Sequence, residues 1–140
     1  MTGKGRFWDS VEGRAPVPPA AQTLGFTLRE ADPENGTIVV EFDGQFAFTN
    51  PFGEVLGGFL AAMLYDTLGP AVLITLGDGQ FIATDNLQLD FLQPARQGPI
   101  VGRARIVSRE AGRVRVEGQL TDSSGALVAT GAADIRITGP

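Results

Sequence analysis

Residues 53–77 read GEVLGGFLAAMLYDTLGPAVLITLG, and this stretch decides the fold. Its Ala, Leu and Met content favours a helix that starts after the turn residues at 50–53, Asn-Pro-Phe-Gly. From Val55 to Leu76 the segment is apolar nearly all round, and Asp66 is its only charged residue. A helix without a polar face must be enclosed on several sides. The sequence therefore predicts a curved sheet, a partner subunit or both around this helix.

The same segment is long enough to be scored as a membrane span, but its charges argue against one. Asp66 lies near its middle, and no Lys or Arg occurs between Arg29 and Arg96 to anchor or orient it in a bilayer. We therefore interpret it as a buried helix. Because Pro70 has no N–H to donate to the carbonyl of Asp66, we expect a kink or a break near Gly69.

The composition narrows the possible chemistry. The chain has 140 residues, a length typical of one domain, and it contains no Cys and no His. Disulfides, thiolate nucleophiles, Cys/His zinc sites and imidazole catalysis are thereby excluded. Carboxylates, hydroxyls, amides, backbone donors and Arg remain, so catalysis would be carboxylate-assisted or electrostatic. We expect no metal and no redox cofactor.

Charge is unevenly distributed along the chain. Residues 30–95 hold ten acidic and no basic residues, whereas residues 96–140 hold seven Arg and four acidic residues. With an overall charge of −5, the chain is a poor candidate for nucleic-acid binding, which depends on neutralising phosphates. Residues 1–14 have no apolar run behind their basic residues, so they do not form a secretory signal. The expected location is the cytoplasm.

Strand patterns occur in the sequence both before and after the predicted helix. Residues 1–20 are predicted to form an N-terminal helical flap, with helical turns over 6–13 that the prolines of 17–20 end. The rest, residues 21–140, is predicted to be the main domain. Its strands are predicted over residues 24–31, 37–42, 81–93, 99–109, 113–121 and 126–138. Short turns separate the last three strands, which predicts an antiparallel meander.

Alternation in the middle hairpin predicts one wet and one buried face. One parity holds mostly charged residues: Arg103, Arg105, Arg109, Arg113, Arg115 and Glu117. The other parity is apolar: Ala104, Ile106, Val114, Val116 and Leu120.

Several segments together resemble the hotdog-fold acyl-CoA thioesterases of the PaaI-like, phenylacetate-pathway branch. The resemblance covers roughly residues 20–138. It rests on Asn50-Pro51-x-Gly53 leading into Val55-Leu56-Gly57-Gly58, on Tyr65-Asp66 in the helix, on TDNLQLDFLQPAR at 84–96, and on ATGAADIRI at 129–137.

This resemblance implies an α+β hotdog fold, a long central helix wrapped by a five- to six-stranded antiparallel sheet. It also implies a homodimer, in some cases a homotetramer, that pairs sheets edge to edge and places active sites at the subunit interface. In such enzymes a backbone N–H at the start of the central helix polarises the thioester carbonyl. A helical carboxylate acts as general base or nucleophile.

Two positions depart from the family pattern. The family usually has His-Gly-Gly where this chain has Leu56-Gly57-Gly58, and its carboxylate is expected where this chain has Tyr65. Asp66 is one residue later, and one residue on an α-helix is a rotation of about 100°. The N–H donor of Gly57 or Gly58 does not depend on the missing His.

Asp66 and Tyr65 each have two interpretations. Burial would raise the pKa of Asp66 into the range useful for a general base, but Asp66 can equally hydrogen-bond a neighbouring backbone group or an Arg. Tyr65 can donate a hydrogen bond to an acyl group or water, or it can serve packing. Its reference pKa near 10 makes it a poor base.

Asn50 and Thr84 are the remaining catalytic candidates. Asn50 precedes a proline just ahead of the helix, and the family places a substrate-contacting Asn here, although a loop or cap role is the alternative. Thr84 matches the family residue that positions a water near the carboxylate, and Thr is also an ordinary strand residue.

Substrate contacts are predicted at Leu56, Phe59 and Arg96. Leu56 and Phe59 lie where the acyl group would bind, and Arg96 is the candidate contact to the phosphates of coenzyme A, because guanidinium groups suit phosphate. The other late Arg residues are interpreted as a solvated sheet face.

The predicted function is hydrolysis of an acyl-CoA thioester by a homodimer or homotetramer. It requires no cofactor beyond the coenzyme A of the substrate. One alternative is a non-catalytic acyl-CoA-binding hotdog protein that has lost the usual carboxylate, and another is a structural dimerisation module.

Overall fold

The computed structural model describes residues 5–140 and contains one long helix packed against an antiparallel sheet, as the sequence predicts. The helices are α1 (Arg6–Val11), α2 (Pro19–Leu24) and α3 (Gly57–Leu73). The strands are β1 (Thr27–Asp32), β2 (Thr37–Gly44), β3 (Phe81–Phe91), β4 (Gly98–Glu110), β5 (Arg113–Thr121) and β6 (Leu127–Thr138).

The six strands form one sheet in the order β1-β2-β4-β5-β6-β3, and every neighbouring pair is antiparallel. The predicted meander of the last three strands is confirmed, since β4, β5 and β6 lie side by side. β3 follows the helix in sequence and joins the sheet at its far edge, beside β6. The inner face of this sheet packs on α3, and most of the buried apolar side chains lie between them.

The central helix runs without a break to Leu73. Of the predicted kink or break near Gly69, the break is wrong: Pro70 is buried inside the helix, and Ile74 N–H donates to its carbonyl at 3.0 Å. Packing on several sides keeps the helix continuous although proline removes one of its hydrogen bonds. α3 has 17 residues, and among the described residues no helix has the length and hydropathy that a membrane crossing requires.

Three glycines let the sheet approach α3 closely. They lie on the inner face of three adjacent strands, at Gly102, Gly118 and Gly131. A Cβ at Gly118 would lie 2.8 Å from Cδ2 of Leu68, and one at Gly131 would lie 2.6 Å from Cδ2 of Leu64. The place of a Cβ at Gly102 is filled by Thr67. The helix thus contacts the strand backbones directly.

Helix α1 covers the C-terminal end of α3. Trp8 of α1 is 1% exposed, and its indole N–H donates to the carbonyl of Ile74 at 3.3 Å. The predicted helical turns over 6–13 correspond to α1, which ends at Val11, ahead of the prolines. The sequence analysis did not predict a second helix, and Pro19 is the first residue of α2. Proline is well suited to a first helical turn, where its missing N–H has no partner to lose. Residues 1–4 of the predicted flap lie outside the described residues.

A β-bulge corrects the predicted position of Arg109. The β4–β5 register shifts between Ile106 and Ser108, so Arg109 pairs with buried Val114 on the helix side rather than on the wet face. There its guanidinium donates to Oγ1 of Thr75 at 3.0 Å, just beyond the last turn of α3. Alternation alone cannot show an inserted residue that reverses the facing of everything after it.

Candidate active site

The start of α3 has unpaired backbone donors. Leu56 is the N-cap residue and makes no side-chain cap, and its carbonyl accepts from the N–H groups of Phe59 and Leu60 at 2.9 and 3.2 Å. Gly57 and Gly58 occupy the first two helical positions, whose N–H groups have no partner within a helix. No acceptor within residues 5–140 is hydrogen-bonded to either of them. Two donors and the positive end of the helix dipole therefore point away from the helix.

The two glycines differ in the space around them. A Cβ at Gly57 would lie 3.2 Å from the ring of Phe91, whereas a Cβ at Gly58 would meet no heavy atom within 4 Å. Gly58 is also exposed, whereas Gly57 is half-buried, so Gly58 is the donor that a ligand can approach. Phe91 was not among the predicted site residues. A signal for it exists, because Leu87, Leu89 and Phe91 alternate on the inner face of β3 after a bulge at Asp85.

Asn50 organises the loop before the helix. Its Oδ1 accepts from the N–H groups of Phe52 and Glu54 at 2.9 and 3.1 Å, and its own N–H donates to the carbonyl of Glu54 at 2.8 Å. These hydrogen bonds are those of an Asx turn. Among the described residues its Nδ2 has no acceptor, so a contact from Nδ2 to substrate stays a prediction.

Two backbone hydrogen bonds fix the entry to α3. Leu56 N–H donates to the carbonyl of Phe48 at 2.8 Å, and Val55 N–H donates to the carbonyl of Ala95 at 2.9 Å. Arg96 therefore follows a residue tied directly to the helix start. Arg96 lies five residues beyond Phe91, the last residue of β3, in the exposed loop before β4.

Apolar side chains gather around this entry. Phe48 is buried and stacks on Phe59, with ring centroids 4.1 Å apart. Leu56 is 47% exposed, and Phe46 and Phe52 are exposed by 78% and 86%. Both predicted acyl contacts, Leu56 and Phe59, thus lie within one turn of Gly58.

Asp66 is a half-buried carboxyl without a partner for one oxygen. Its Oδ2 is buried and has no hydrogen-bond partner within residues 5–140, and the side chain forms no ion pair there. Burial raises the pKa of Asp66 to about 6. The alternative interpretation, a hydrogen bond to a neighbouring backbone group or an Arg, is not found in the described residues. Within the same residues, no group of three His, Cys, Asp or Glu side chains could hold a metal ion.

Tyr65 and Thr84 are the catalytic candidates on the helix and on a strand. Tyr65 is next to Asp66 in sequence, and Thr84 faces the helix that carries Asp66. Tyr65 is 51% exposed. Thr84 pairs with buried Ile135, so it lies on the inner face of β3. Eight residues separate Gly58 from Asp66 on α3, which is about 12 Å along a helix axis. One chain therefore does not bring the N–H of Gly58 and the carboxyl of Asp66 to a single carbonyl group.

Comparisons with known proteins agree on family and fold. A family model described as the thioesterase superfamily matches residues 52–129. A solved structure from Ralstonia eutropha JMP134, described as a candidate thioesterase and phenylacetic acid degradation-related protein, is 42% identical, with a TM-score of 0.89 over 93% of this chain and 98% of that chain.

Two further similarities are more distant. A candidate esterase from Saccharolobus solfataricus is 28% identical over 94 residues, which is 67% of this chain and 66% of that protein's length, slightly less than two thirds. The PaaI protein of the E. coli phenylacetic acid degradation operon is 17% identical, with a TM-score of 0.82 over 94% of this chain and 93% of that chain. At that identity the likeness shows the fold alone.

Proposed function

The chain belongs to the thioesterase superfamily and has its hotdog fold, and on this basis we propose that it hydrolyses acyl-CoA thioesters. The observation that carries the proposal is the start of α3, where the N–H of Gly58 is unpaired within residues 5–140 and open to a ligand. In the reaction, water adds to the thioester carbonyl and the C–S bond breaks. The products are a carboxylic acid and coenzyme A with a free thiol.

The N–H of Gly58 stabilises the oxygen on which negative charge develops. As water attacks, the carbonyl oxygen becomes an oxyanion, which an N–H donor at a helix N-terminus binds more strongly than the neutral carbonyl. Glycine at this position keeps the approach free of a side chain. Gly57 can donate a second bond, while the ring of Phe91 covers its other side.

Asp66 is the proposed general base. With a pKa of about 6 the carboxyl is mostly ionised at neutral pH, yet it is basic enough to accept a proton from the attacking water. Its buried Oδ2 has no partner in the described residues, so no hydrogen bond competes for that oxygen. Tyr65 and Thr84 are proposed to orient water or the acyl group. Asn50 Nδ2 is proposed to donate to the substrate.

Each site is proposed to combine two chains. Gly58 and Asp66 of one helix are about 12 Å apart along its axis, too far to act on one carbonyl. A homodimer solves this if Gly58 of one subunit faces Asp66 of the other. Exposed apolar side chains along β3 support such pairing: Phe81 is 45%, Phe91 57% and Leu92 50% exposed. Tyr65, on the neighbouring helix, is equally accessible.

Arg96 is proposed to bind the phosphates of coenzyme A. Its side chain is exposed, makes no ion pair within residues 5–140, and follows the residue whose carbonyl holds Val55. The acyl group would then lie against Leu56 and Phe59 at the helix start.

A non-catalytic acyl-CoA-binding protein is the second candidate. It is favoured by one observation: Tyr65 stands where the family carboxylate is expected, and it is half exposed. Such a protein would keep the helix start and lose turnover.

The experiment measures free thiol release from a panel of aryl- and alkyl-CoA thioesters. Hydrolysis above the uncatalysed rate is expected for at least one member. Gly58→Pro removes the N–H and adds a ring, in the first helical turn where proline is tolerated, and Gly58→Ala is the control that adds a side chain but keeps the N–H, because a Cβ there meets no neighbour. We expect Gly58→Pro to lower kcat about 100-fold and Gly58→Ala to retain most activity. Binding of coenzyme A without any hydrolysis by the wild type would establish the second candidate instead.

A mixing experiment tests the shared site. Asp66→Asn and Gly58→Pro subunits are each inactive, but a heterodimer of the two has one intact site if each site uses both chains. Random exchange should then restore roughly a quarter of wild-type activity. No restoration after verified subunit exchange would place both groups of a site in one chain.

A further inference from the structure

The turn between β5 and β6, residues 122–125, contains a buried carboxylate that the proposed catalytic site does not use. Asp122 is 5% exposed, and no other charged side chain within residues 5–140 is as deeply buried. A buried charge is usually paired with an opposite charge, because its desolvation is costly. Within the same residues Asp122 forms no ion pair and instead accepts four hydrogen bonds.

The two oxygens of Asp122 bind different parts of the chain. Oδ1 accepts from the N–H groups of Ser124 and Ala126 at 2.9 and 3.2 Å, and from the hydroxyl of Ser124 at 2.6 Å. These three bonds close the turn, as an Asx turn requires. Oδ2 accepts from the backbone N–H of Arg96 at 3.0 Å, 26 residues away in sequence. The turn itself needs only the first oxygen, so the second one serves to tie the turn to Arg96.

Arg96 belongs to the connection between β3 and β4, residues 92–97, which has no regular secondary structure. Two further hydrogen bonds tie this connection to the β5–β6 hairpin. The hydroxyl of Ser123 donates to the carbonyl of Gln97 at 2.8 Å, and Nε2 of Gln93 donates to the carbonyl of Leu127 at 2.7 Å. The hairpin thus holds the connection at three points, with Arg96 between the other two.

The same connection also contacts the entry to α3. The carbonyl of Ala95, a residue that is 0% exposed, accepts from the N–H of Val55 at 2.9 Å. Nε2 of Gln97 donates to the carbonyl of Gly53 at 3.1 Å. Residues 92–97 therefore lie between the β5–β6 turn and the start of the central helix, and the exposed side chain of Arg96 begins at this junction.

We propose that Asp122 is a positioning residue for the coenzyme A end of the site, because it fixes the backbone from which Arg96 reaches the phosphates. This inference rests on the proposed function, in which Arg96 binds coenzyme A. A guanidinium on a loose loop loses both backbone and side-chain freedom when it binds, whereas one on a fixed backbone loses only the second. Fixing Arg96 before the ligand arrives therefore increases affinity.

The charge state of Asp122 suits this role. Burial by itself raises the pKa of the carboxyl, but the hydrogen bonds from Arg96, Ser124 and Ala126 lower it below its usual value on balance. The carboxylate is therefore ionised at neutral pH, and both oxygens act as acceptors. Asparagine has only one acceptor oxygen, so it cannot replace both sets of bonds.

Asp122→Asn separates the two sets of bonds. When its oxygen accepts from the three donors of the turn, its amide N–H₂ faces the N–H of Arg96, and the tie to the loop is lost. We expect coenzyme A to bind about tenfold more weakly by calorimetry, and the amide of Arg96 to exchange its hydrogen faster. Ser124→Ala is the matched control. It removes one bond to Oδ1 and leaves the Oδ2 bond, so affinity and the exchange of the Arg96 amide should not change.

Thiol release adds a readout that a general loss of stability does not reproduce. For the thioester that the wild type hydrolyses fastest, Asp122→Asn should raise KM about tenfold and change kcat less than about threefold, because the helix start keeps its own bonds to Phe48 and Ala95. In the Arg96→Ala background, Asp122→Asn should weaken coenzyme A no further. An additive loss of affinity would overturn the proposal, since it would show that Asp122 does not act through Arg96.

A second variant keeps the test valid if Asp122→Asn does not fold. Ser123→Ala removes another tie between the turn and the loop, from an exposed side chain, and should weaken coenzyme A about threefold while circular dichroism stays unchanged. Unchanged affinity in each folded variant, or an equal loss in Ser124→Ala, would overturn the proposal. If the wild type binds coenzyme A but hydrolyses no thioester, the proposed catalysis fails, while the affinities still decide the role of Asp122.

Discussion

The two ends of α3 are built in opposite ways. The open end, residues 56–58, has no side-chain cap and leaves the N–H of Gly58 exposed and unpaired within residues 5–140. The closed end, residues 73–76, is covered by α1, where the indole of Trp8 donates to the carbonyl of Ile74, and Arg109 donates to Thr75. Both ends carry orphan backbone groups, yet within residues 5–140 only the closed end has a side-chain partner for one of them, the carbonyl of Ile74.

This difference separates the part of the helix that anchors the fold from the part available for binding. At the closed end a buried indole donates to the backbone carbonyl of Ile74. A guanidinium, which suits the negative end of the helix dipole, donates to the side-chain hydroxyl of Thr75. Donors at the open end are held in place by the loop bonds of Asn50 and Val55 rather than capped. An end that is fixed but uncapped keeps its hydrogen-bonding capacity for a ligand.

The largest effect is expected from opening the closed end. Trp8→Ala removes a side chain that is 1% exposed and its hydrogen bond to Ile74, which should lower the free energy of unfolding by about 3 to 5 kcal/mol. Urea denaturation measures it. Phe46→Ala, at the opposite end of the helix and 78% exposed, is the matched control and should change stability by less than about 0.5 kcal/mol. Equal losses of unfolding free energy for Trp8→Ala and Phe46→Ala would show that the two ends do not differ in their contribution to stability.

Removing the proposed base should separate catalysis from folding. Asp66→Asn is expected to lower kcat about 100-fold or more while coenzyme A affinity stays unchanged, because a positioned proton acceptor is typically worth that much. Steady-state thiol release and calorimetric binding measure the two quantities. Tyr65→Phe is the control beside it and should cost about tenfold or less, the scale of one neutral hydrogen bond. A larger loss of kcat for Tyr65→Phe than for Asp66→Asn would assign the main catalytic role to Tyr65.

The same carboxyl should make stability depend on pH. Burial raises the pKa of Asp66 from 3.8 to about 6, so the folded chain holds this proton more tightly than the unfolded chain. The stability that comes from burying this carboxyl in its protonated form is fully present below pH 3.8 and is lost as pH rises through about 6. Asp66→Asn should therefore be more stable than the wild type at pH 8, by up to about 3 kcal/mol, and the gap should close toward pH 4. A gap that does not vary with pH would contradict the burial of this charge. In the wild type, kcat should rise with pH through about 6.

Ligand binding at the open end should depend on Arg96. Arg96→Ala is expected to weaken coenzyme A by about 1 to 3 kcal/mol and to reduce the salt dependence of binding, because one guanidinium–phosphate contact is lost. Calorimetry at two salt concentrations measures both. Arg6→Ala, in the N-terminal helix that covers the closed end, is the control. Unchanged affinity would place the phosphate site elsewhere.

The smallest effect is expected at Arg109. Arg109→Ala removes an exposed hydrogen bond to Thr75 near the negative end of the helix dipole, worth about 1 kcal/mol. Arg113→Ala is the comparison, since its 3.8 Å contact with Asp85 is exposed and should contribute less. If both variants unfold at the same urea concentration as the wild type, Arg109 does not stabilise the closed end.

The sequence predicted most of the fold because its patterns are local. The apolar run of α3, the short turns and the alternation of β5 each follow from neighbouring residues, and the structure agrees with them. Arg109 shows the limit. A bulge at residue 107 inserts one residue into the β4 ladder, and no pattern within the strand reveals it. Helix α2 was not predicted for a similar reason, since Pro ends one helix and starts another equally well.

The candidate site was predictable in part. The glycines at the helix start were singled out by the resemblance to the thioesterase family, and Asp66 was singled out as the only charge in an apolar helix. The contact of Phe91 with Gly57 could not, because it depends on how β3 crosses the helix start. The unpartnered oxygen of Asp66 also requires three-dimensional packing, since burial is set by several elements at once.

The glycines beneath α3 bear on how this chain could be engineered. At Gly118 and Gly131 the side chains of Leu68 and Leu64 already occupy the space that even alanine would need, so a saturation library should find these silent positions among the least tolerant. Phe46 and Phe52, large and conspicuous in the sequence, should accept nearly any replacement without loss of fold. A search for variants with altered selectivity in the proposed acyl-CoA hydrolysis can therefore randomise Phe46 and Phe52, and it must keep Gly118 and Gly131 unchanged.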